Sequence, residues 1–499
     1  MHRILSGSTN LHSLASLVVL SLCVASTAAH AQVSLTEISS DPFTVGPGQH
    51  ATEVEPHVLA NGTTLVSAFQ TGRISPGGAT AIGWATSTNG GTTWTHGFLP
   101  GLTTGYDDGP YNAASDAAVA YDAKHGVWII ATLPILNSTT TTNGVAVSRS
   151  TDGGLTWGNA ALIGPMVQAS DKDWIACDST STSPYYGNCY VEWDNYDNGD
   201  EILMSTSTDG GLTWGAATPS GSGSDGTGGQ QLAQPNGTVV VPVLTSGMSA
   251  FTSTNGGASW SAPVTISNVQ WHKDDGGIRS LPLPSAAQDG AGKVWVVWED
   301  CRFRSGCSTN DLVYSTSTNG TTWSAVTRIP IDATTSTVDH FIPGIGIDPT
   351  TSGATAHVAV TYYYYPKSKC TESTCQLYVG FISSANGGST WNTPVSLAGP
   401  MQLAWLPNSD NGLMVADYIA TAFTNGVPYG VFAVAAAKSG STFNEAIYTA
   451  QGLTAEVAKA GPQLSSAGDK PLHNLSDPIE KEHPERGIPP TRRTASSVK

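Results

Sequence analysis

Arginine is scarce enough in this chain for its positions to carry information. Between Gln32 and Val457 there are six, Arg73, Arg149, Arg279, Arg302, Arg304 and Arg328. Arg149 abuts a repeated box described below and Arg328 follows another, so both read as peripheral; Arg73, Arg279, Arg302 and Arg304 remain as candidates for one binding face. A guanidinium presents paired donors in a planar fork that matches a carboxylate, so such a group suits an acidic ligand. Arginines of this kind also cap loops by holding backbone carbonyls or nearby carboxylates. Beside them, Glu299 and Asp300 end the run "KVWVVWED", where a carboxyl pair could do acid/base work, and Asp311 begins the next strand-like run. "SDKDWIACD" brings together Asp171, Asp173 and Asp178. There a carboxylate could serve as an acid/base or hard-cation ligand, or cap turns through backbone amides. No D-x-[DN]-x-[DN]-G loop appears, so the sequence assigns no metal and no cofactor.

These side chains must be held by something, and the chain repeats. "STDGGLTW" stands at Ser150 to Trp157 and again at Ser207 to Trp214. Related copies occupy Ser87 to Trp94, Ser253 to Trp260, Ser384 to Trp391 and, one residue shorter, Ser317 to Trp323. Their tryptophans lie 63, 57, 46, 63 and 68 positions apart, a spacing that marks a repeat array. Asp or Asn before glycine suits a tight turn, since the side-chain oxygen accepts turn amides and glycine takes positive φ at little cost. The tryptophan supplies apolar area to pin the turn. Each copy therefore reads as a stapled hairpin, and its repetition speaks against catalysis.

Between the copies run strand-like segments, "TTLVSAF", "GVWIIATL", "NCYVEWD", "TVVVPVL", "KVWVVWED" and "HVAVTYYYY", each preceded by another apolar segment, from "EPHVLA" to "FIPGIGID". A further unit follows in "LMVADYIATAF", "PYGVFAVAAA" and "EAIYTA", with "KSGSTFN" where its box would stand. The pattern predicts an all-β chain of four-stranded units arranged radially as a β-propeller, which limits exposed edges. Seven blades are expected, or six if the last unit only closes the ring with the N-terminal strand near "QVSLTEI".

The ends differ. Arg3, the apolar run Leu14 to Val24 and Ala29-His30-Ala31 predict a secretory signal over residues 1–31, with the mature protein starting near Gln32. The propeller is expected over residues 32–457 and a disordered polar tail over 458–499. No later run approaches the ~20 apolar residues of a membrane helix. Outside the signal the cysteines fall into near pairs, Cys177 with Cys189, Cys301 with Cys307 and Cys370 with Cys375, as an oxidising compartment favours. A secreted or periplasmic monomer is expected. The net charge of -17 speaks against nucleic acid as a partner.

Six copies of S-x-[DN]-G-G-x-[ST]-W, counting the short one at Ser317 to Trp323, on a predicted propeller closely resemble the Asp-box, or BNR, repeats of the sialidase superfamily, over roughly Glu55 to Ala450. The resemblance implies a sialidase-like propeller with boxes at its periphery. It also implies three arginines for a substrate carboxylate, a tyrosine nucleophile assisted by a glutamate, and an aspartate acid/base. Tyr418 lies where the nucleophile would be, with Asp417 adjoining it. The first blade departs from the family pattern: Pro56 and Arg73 fit, but Val54 replaces the arginine of Arg-Ile-Pro, Thr71 the glutamate and Gly78 the aspartate. The resemblance thus implies catalytic Asp300, Tyr418 and Glu299, with Arg73, Arg279, Arg302, Arg304 and Asp173 toward substrate. The function expected is a secreted sialidase-like glycoside hydrolase acting on terminal sugars of an extracellular glycan or glycoconjugate. The alternative is a non-catalytic propeller that binds surface glycan or protein.

Overall fold

A computed structural model gives the arrangement of residues 33–136, 144–164, 169–221, 225–455, 469–471 and 479. The signal-like segment lies outside the described residues, as does most of the C-terminal tail. Among the described residues the chain is a series of antiparallel meanders joined by turns and short 3-10 segments.

Unit I comprises Gln49–Asn61, Thr64–Arg73, Ala79–Ser87 and Thr95–Phe98. Unit II comprises Ala113–Asp122, Val127–Ile135, Val145–Ser150 and Ala161–Ile163. A single pairing, Ala79 with Ala114, joins these two into an eight-stranded sheet. Units III to VI are separate four-stranded sheets that begin with Ser170–Cys177, Leu232–Ala233, Ser285–Gln288 and Asp339–Ile347. Unit VII comprises Ala420–Thr424, Val427–Ala435 and Glu445–Ala450, and its fourth strand is Leu35–Glu37 from the far end of the chain. The last unit therefore forms a sheet of its own. "KSGSTFN" lies between its second and third strands, whereas the boxes elsewhere lie between third and fourth. It is not a seventh box, because the chain supplies no third-to-fourth turn there.

Burial grades across unit I. The first two strands of unit I are buried over most of their length, while Thr95–Phe98 is half exposed. Residues from the first strands of all seven units, or just before them, line one cavity of about 410 Å³, among them Val58, Val119, Ile175, Leu232, Ala286, Ile345 and Ala420.

The boxes form the expected turns. In Ser207 to Trp214, Ser207 Oγ accepts from Gly211 N at 3.0 Å, Asp209 Oδ1 accepts from Thr213 N at 2.9 Å, and Trp214 Nε1 donates to Gly211 O at 3.3 Å. Each box also touches the unit before it: Gly154 packs on Val66, Gly211 on Ile129, Gly257 on Tyr190, Gly320 on Val240 and Gly388 on Trp295. The first box, through Gly91, meets Tyr429 of unit VII. Arg149 donates to Gly210 O of the next unit's box at 2.6 Å, so it is a box contact.

The three expected disulfides are present, Cys177–Cys189, Cys301–Cys307 and Cys370–Cys375. Among the described residues no helix is long and apolar enough to cross a membrane.

Candidate functional site

One irregularity recurs where first strands begin. Register shifts fall between Val54 and His57, Ser115 and Ala118, Asp171 and Trp174, and Phe341 and Gly344. Inside each shift one non-glycine residue has positive φ: Glu55 at 53°, Asp116 at 47°, Lys172 at 50° and Ile342 at 47°. A bulge re-aims the side chain it carries, and residues held in this region mark positions that the surroundings over-determine. Three of the four are ionisable, and the structure joins them.

Lys172 Nζ pairs with Asp417 Oδ2 and lies 3.5 Å from Asp116 Oδ1. Arg279 grips Asp417 with two nitrogens, Nε to Oδ1 at 2.7 Å and Nη2 to Oδ2, and Nη2 lies 3.9 Å from Glu55 Oε1. Glu55 accepts from the Asp417 amide at 3.3 Å and from Gln70 Nε2. Gln70 also donates to Ser115 Oγ at 3.1 Å, Ser115 Oγ donates to Asp116 Oδ2 at 2.7 Å, and Arg73 Nη1 donates to Gln70 Oε1 at 3.2 Å. Glu55, Arg73, Asp116, Lys172, Arg279 and Asp417 are all buried.

Burial and charge push these groups apart. Burial favours neutral Asp417, but Arg279 and Lys172 outweigh it and hold that carboxyl well below its ordinary range. Burial also opposes charge on Lys172, yet Asp116 and Asp417 raise it well above a free lysine. Glu55 rises well above a free carboxyl, first by burial and then by the charges of Asp417 and Asp116.

Tyr418 stands beside this network. Its hydroxyl is buried without a hydrogen-bond partner, as are both carboxylate oxygens of Asp173. The two residues line one small space of about 10 Å³ with Lys172, Gly229 and Leu283, about the room one water needs. Burial raises the Tyr418 phenol well above its ordinary value, and the charges of Asp116, Glu55 and Asp173 add to that. The phenol is therefore protonated at neutral pH. Trp174, edge-on to Tyr418 at 5.2 Å and 4.4 Å from the His57 ring, lines both this space and the 410 Å³ cavity.

A short hairpin, Asn408–Ser409 paired with Gly412–Leu413, lies against the network. Gln49 exchanges two hydrogen bonds with Asn408, at 2.8 and 2.9 Å, and the Arg279 amide donates to Leu413 O at 2.8 Å.

The unit V candidates hold other partners. Arg302 forms a two-pronged pair with Asp300, Nε to Oδ1 at 2.8 Å and Nη2 to Oδ2 at 2.7 Å, and Asp300 also accepts from Gln270 N and Trp298 Nε1. Arg304 binds Asp311, Asp332 and the carbonyls of Ala333 and Ser336. Glu299 accepts from Trp271 Nε1 at 2.6 Å and from Ile342 N at 3.0 Å. Asp178 caps its loop through Ser183 and Thr180 N, the turn-capping use. Tyr362, Tyr363 and Tyr365 are buried in packing.

Of the sequence candidates, the structure brings together Arg73, Arg279, Asp173, Asp417 and Tyr418. Glu55, Gln70, Asp116 and Lys172 were missed. The available signal was positional: Glu55-Pro56, Asp116-Ala117, Lys172-Asp173, Ile342-Pro343 and Asp417-Tyr418 occupy the same place at the start of their units, and the polar residue there varies while the apolar run after it repeats.

No protein-family model and no curated protein matches the sequence. Similar solved structures include a protein of unknown function from Dyadobacter fermentans, 16% identical, covering 71% of this chain and 99% of that one, with a TM-score of 0.44. A leech intramolecular trans-sialidase is 13% identical over 80% of this chain and 67% of that one, with a TM-score of 0.38. An α-L-arabinanase from Penicillium chrysogenum is 14% identical over 84% and 98%, with a TM-score of 0.41. Identity is low in each case.

Proposed function

We propose that this chain is an exported, monomeric, seven-bladed propeller of sialidase type that binds extracellular glycan without hydrolysing it. The observation that carries the proposal is the two-pronged seat of Asp417 on Arg279, with Lys172 on the same carboxylate. A substrate carboxylate needs a guanidinium with its donors free. Here the chain's own aspartate takes that place, and Arg302 is likewise committed to Asp300. Seven blades are supported by the seven first strands around one cavity, and a closed ring by the packing of Gly91 on Tyr429 and the pairing of Leu35–Glu37 with the last unit. Glycan as the ligand rests on the resemblance of the six boxes. Purified mature protein should bind glycans on an array and release nothing from fluorogenic glycosides, a sialoside first. Absence of all glycan binding, or turnover, would overturn the reading.

A second reading, a sialidase-like hydrolase, is favoured by one observation: the Tyr418 hydroxyl and the Asp173 carboxylate share a water-sized space. It requires turnover that Tyr418→Phe and Asp173→Asn each abolish.

A further inference from the structure

We propose a binding site for a first-row divalent metal ion, of zinc type, formed by His272, Asp275 and Asp339. These residues come from the segment between units IV and V and from the first strand of unit VI. One ligand atom from each lies within 4.8 Å of the others. Asp339 is fully buried, and its Oδ2 accepts no hydrogen bond while facing His272 Nε2 at 3.6 Å. A buried carboxylate oxygen without a donor is costly unless something positive meets it. The charged groups acting on Asp339 are themselves carboxylates, Asp274, Glu299 and Asp275.

The donor set selects the ion. One imidazole with two carboxylates suits zinc and its first-row neighbours, whereas calcium takes an all-oxygen shell. Two carboxylates and a neutral imidazole also balance a divalent charge. His272 is one-fifth exposed at its side chain, which leaves an approach for the ion.

Asn310 positions the ligands. Its backbone N–H donates to Asp339 Oδ1 at 2.6 Å, its Oδ1 accepts from His272 N at 2.9 Å, and its Nδ2 donates to His272 O at 2.6 Å and to Asp274 Oδ1 at 3.4 Å. Asp275 is tied by the Lys369 amide, which donates to Oδ2 at 2.6 Å. Outer partners that fix ligand orientation in this way accompany metal sites. The other cluster of similar composition, Asp311, Asp332 and His340, already holds Arg304 and Arg328 on its carboxylates.

No contiguous motif announces the site, because its ligands lie 64 or more positions apart across His272 to Asp339 save for the His272 and Asp275 pair. The test uses the full mature chain stripped with chelator and titrated with Zn2+ by calorimetry and with Co2+ by visible absorption. One equivalent is expected, with d–d bands of a nitrogen-containing site. Asp339→Asn keeps an acceptor for the Asn310 amide, and His272→Gln alters a partly exposed side chain, so both variants should fold; each should lose stoichiometric binding. Asn310→Ala should weaken it by roughly 10–100-fold. No stoichiometric uptake by the unaltered chain, or unchanged uptake in both ligand variants, would overturn the assignment, as would displacement of Zn2+ by equimolar Ca2+. The last outcome would show an oxygen-only site that excludes the His272 imidazole.

Discussion

Asp417 Oδ1 lies 2.7 Å from Arg279 Nε while Oδ2 takes Nη2 of the same guanidinium and Nζ of Lys172. One buried carboxylate thus pairs with two buried cations from different units, and the arginine offered by the sequence for a ligand is occupied from within.

Removing that carboxylate should be expensive. Asp417→Asn leaves Lys172 and Arg279 facing each other in a dry site, and loss of one partner of a buried pair costs about 3–5 kcal/mol. Urea or thermal unfolding should show this. Arg279→Met in the Asp417→Asn background should recover part of the loss. A double variant no better than the single would mean that the ion network is not coupled as described.

Tyr418→Phe removes a buried hydroxyl that has no hydrogen-bond partner. Apolar replacement of an unsatisfied group is neutral or stabilising. The variant should therefore melt at or above the parent temperature and bind glycan unchanged. A fall of more than ~1 kcal/mol would reveal a bound water or ligand on the phenol.

Gly91 has φ +79°, and a Cβ there would stand 2.3 Å from Tyr429 Cε1. Gly90, at φ +66°, has only the Asn425 amide at 3.8 Å. Gly90→Ala should carry the backbone cost alone, while Gly91→Ala should destabilise clearly more and loosen unit I from unit VII. Thermal melts of the two variants separate these costs. Equal losses would show that the box does not lock neighbouring units.

Stability should fall as pH rises above about 4.3, the ordinary glutamate value. Burial raises Glu192 well above it, and burial with the charges of Asp116 and Glu192 raises Asp173. The folded chain therefore keeps protons that the unfolded chain has released, so ΔG of unfolding declines with pH in that window. Asp417 has the opposite sign: its contribution is present above about 3.9 and is lost as pH falls toward its depressed folded value. The melting temperature should be higher at pH 5 than at pH 8, and Glu192→Gln should flatten that difference. A melting temperature that rises from pH 5 to pH 8 would contradict it.

The repeat was open to sequence reading because it is local. Five boxes place a turn acceptor, two glycines and a tryptophan within eight residues, a sixth does so with one glycine in seven, and strand runs of β-branched and aromatic residues fill the intervals, so unit after unit could be written down. The same locality exposed the disulfides, whose cysteines lie 5 to 12 positions apart. It failed at "KSGSTFN", which resembles a box but sits between the wrong strands, because the fourth strand of that unit comes from the other end of the chain.

The candidate site was legible only in pieces. Arg279, Asp173, Asp417 and Tyr418 stood out by type, but nothing nearby in sequence pairs Arg279 with a residue 138 positions away. The bulges at Glu55, Asp116 and Lys172 leave no composition signal, since a positive φ there is imposed by packing and not by glycine. By itself the sequence determined the repeating all-β frame, whose turns and strands depend on neighbours a few residues apart. Tertiary structure alone decided which charges meet, because first strands from distant units converge around one cavity, and in that buried interior Arg279 and Lys172 are held by a carboxylate that only the fold can bring to them.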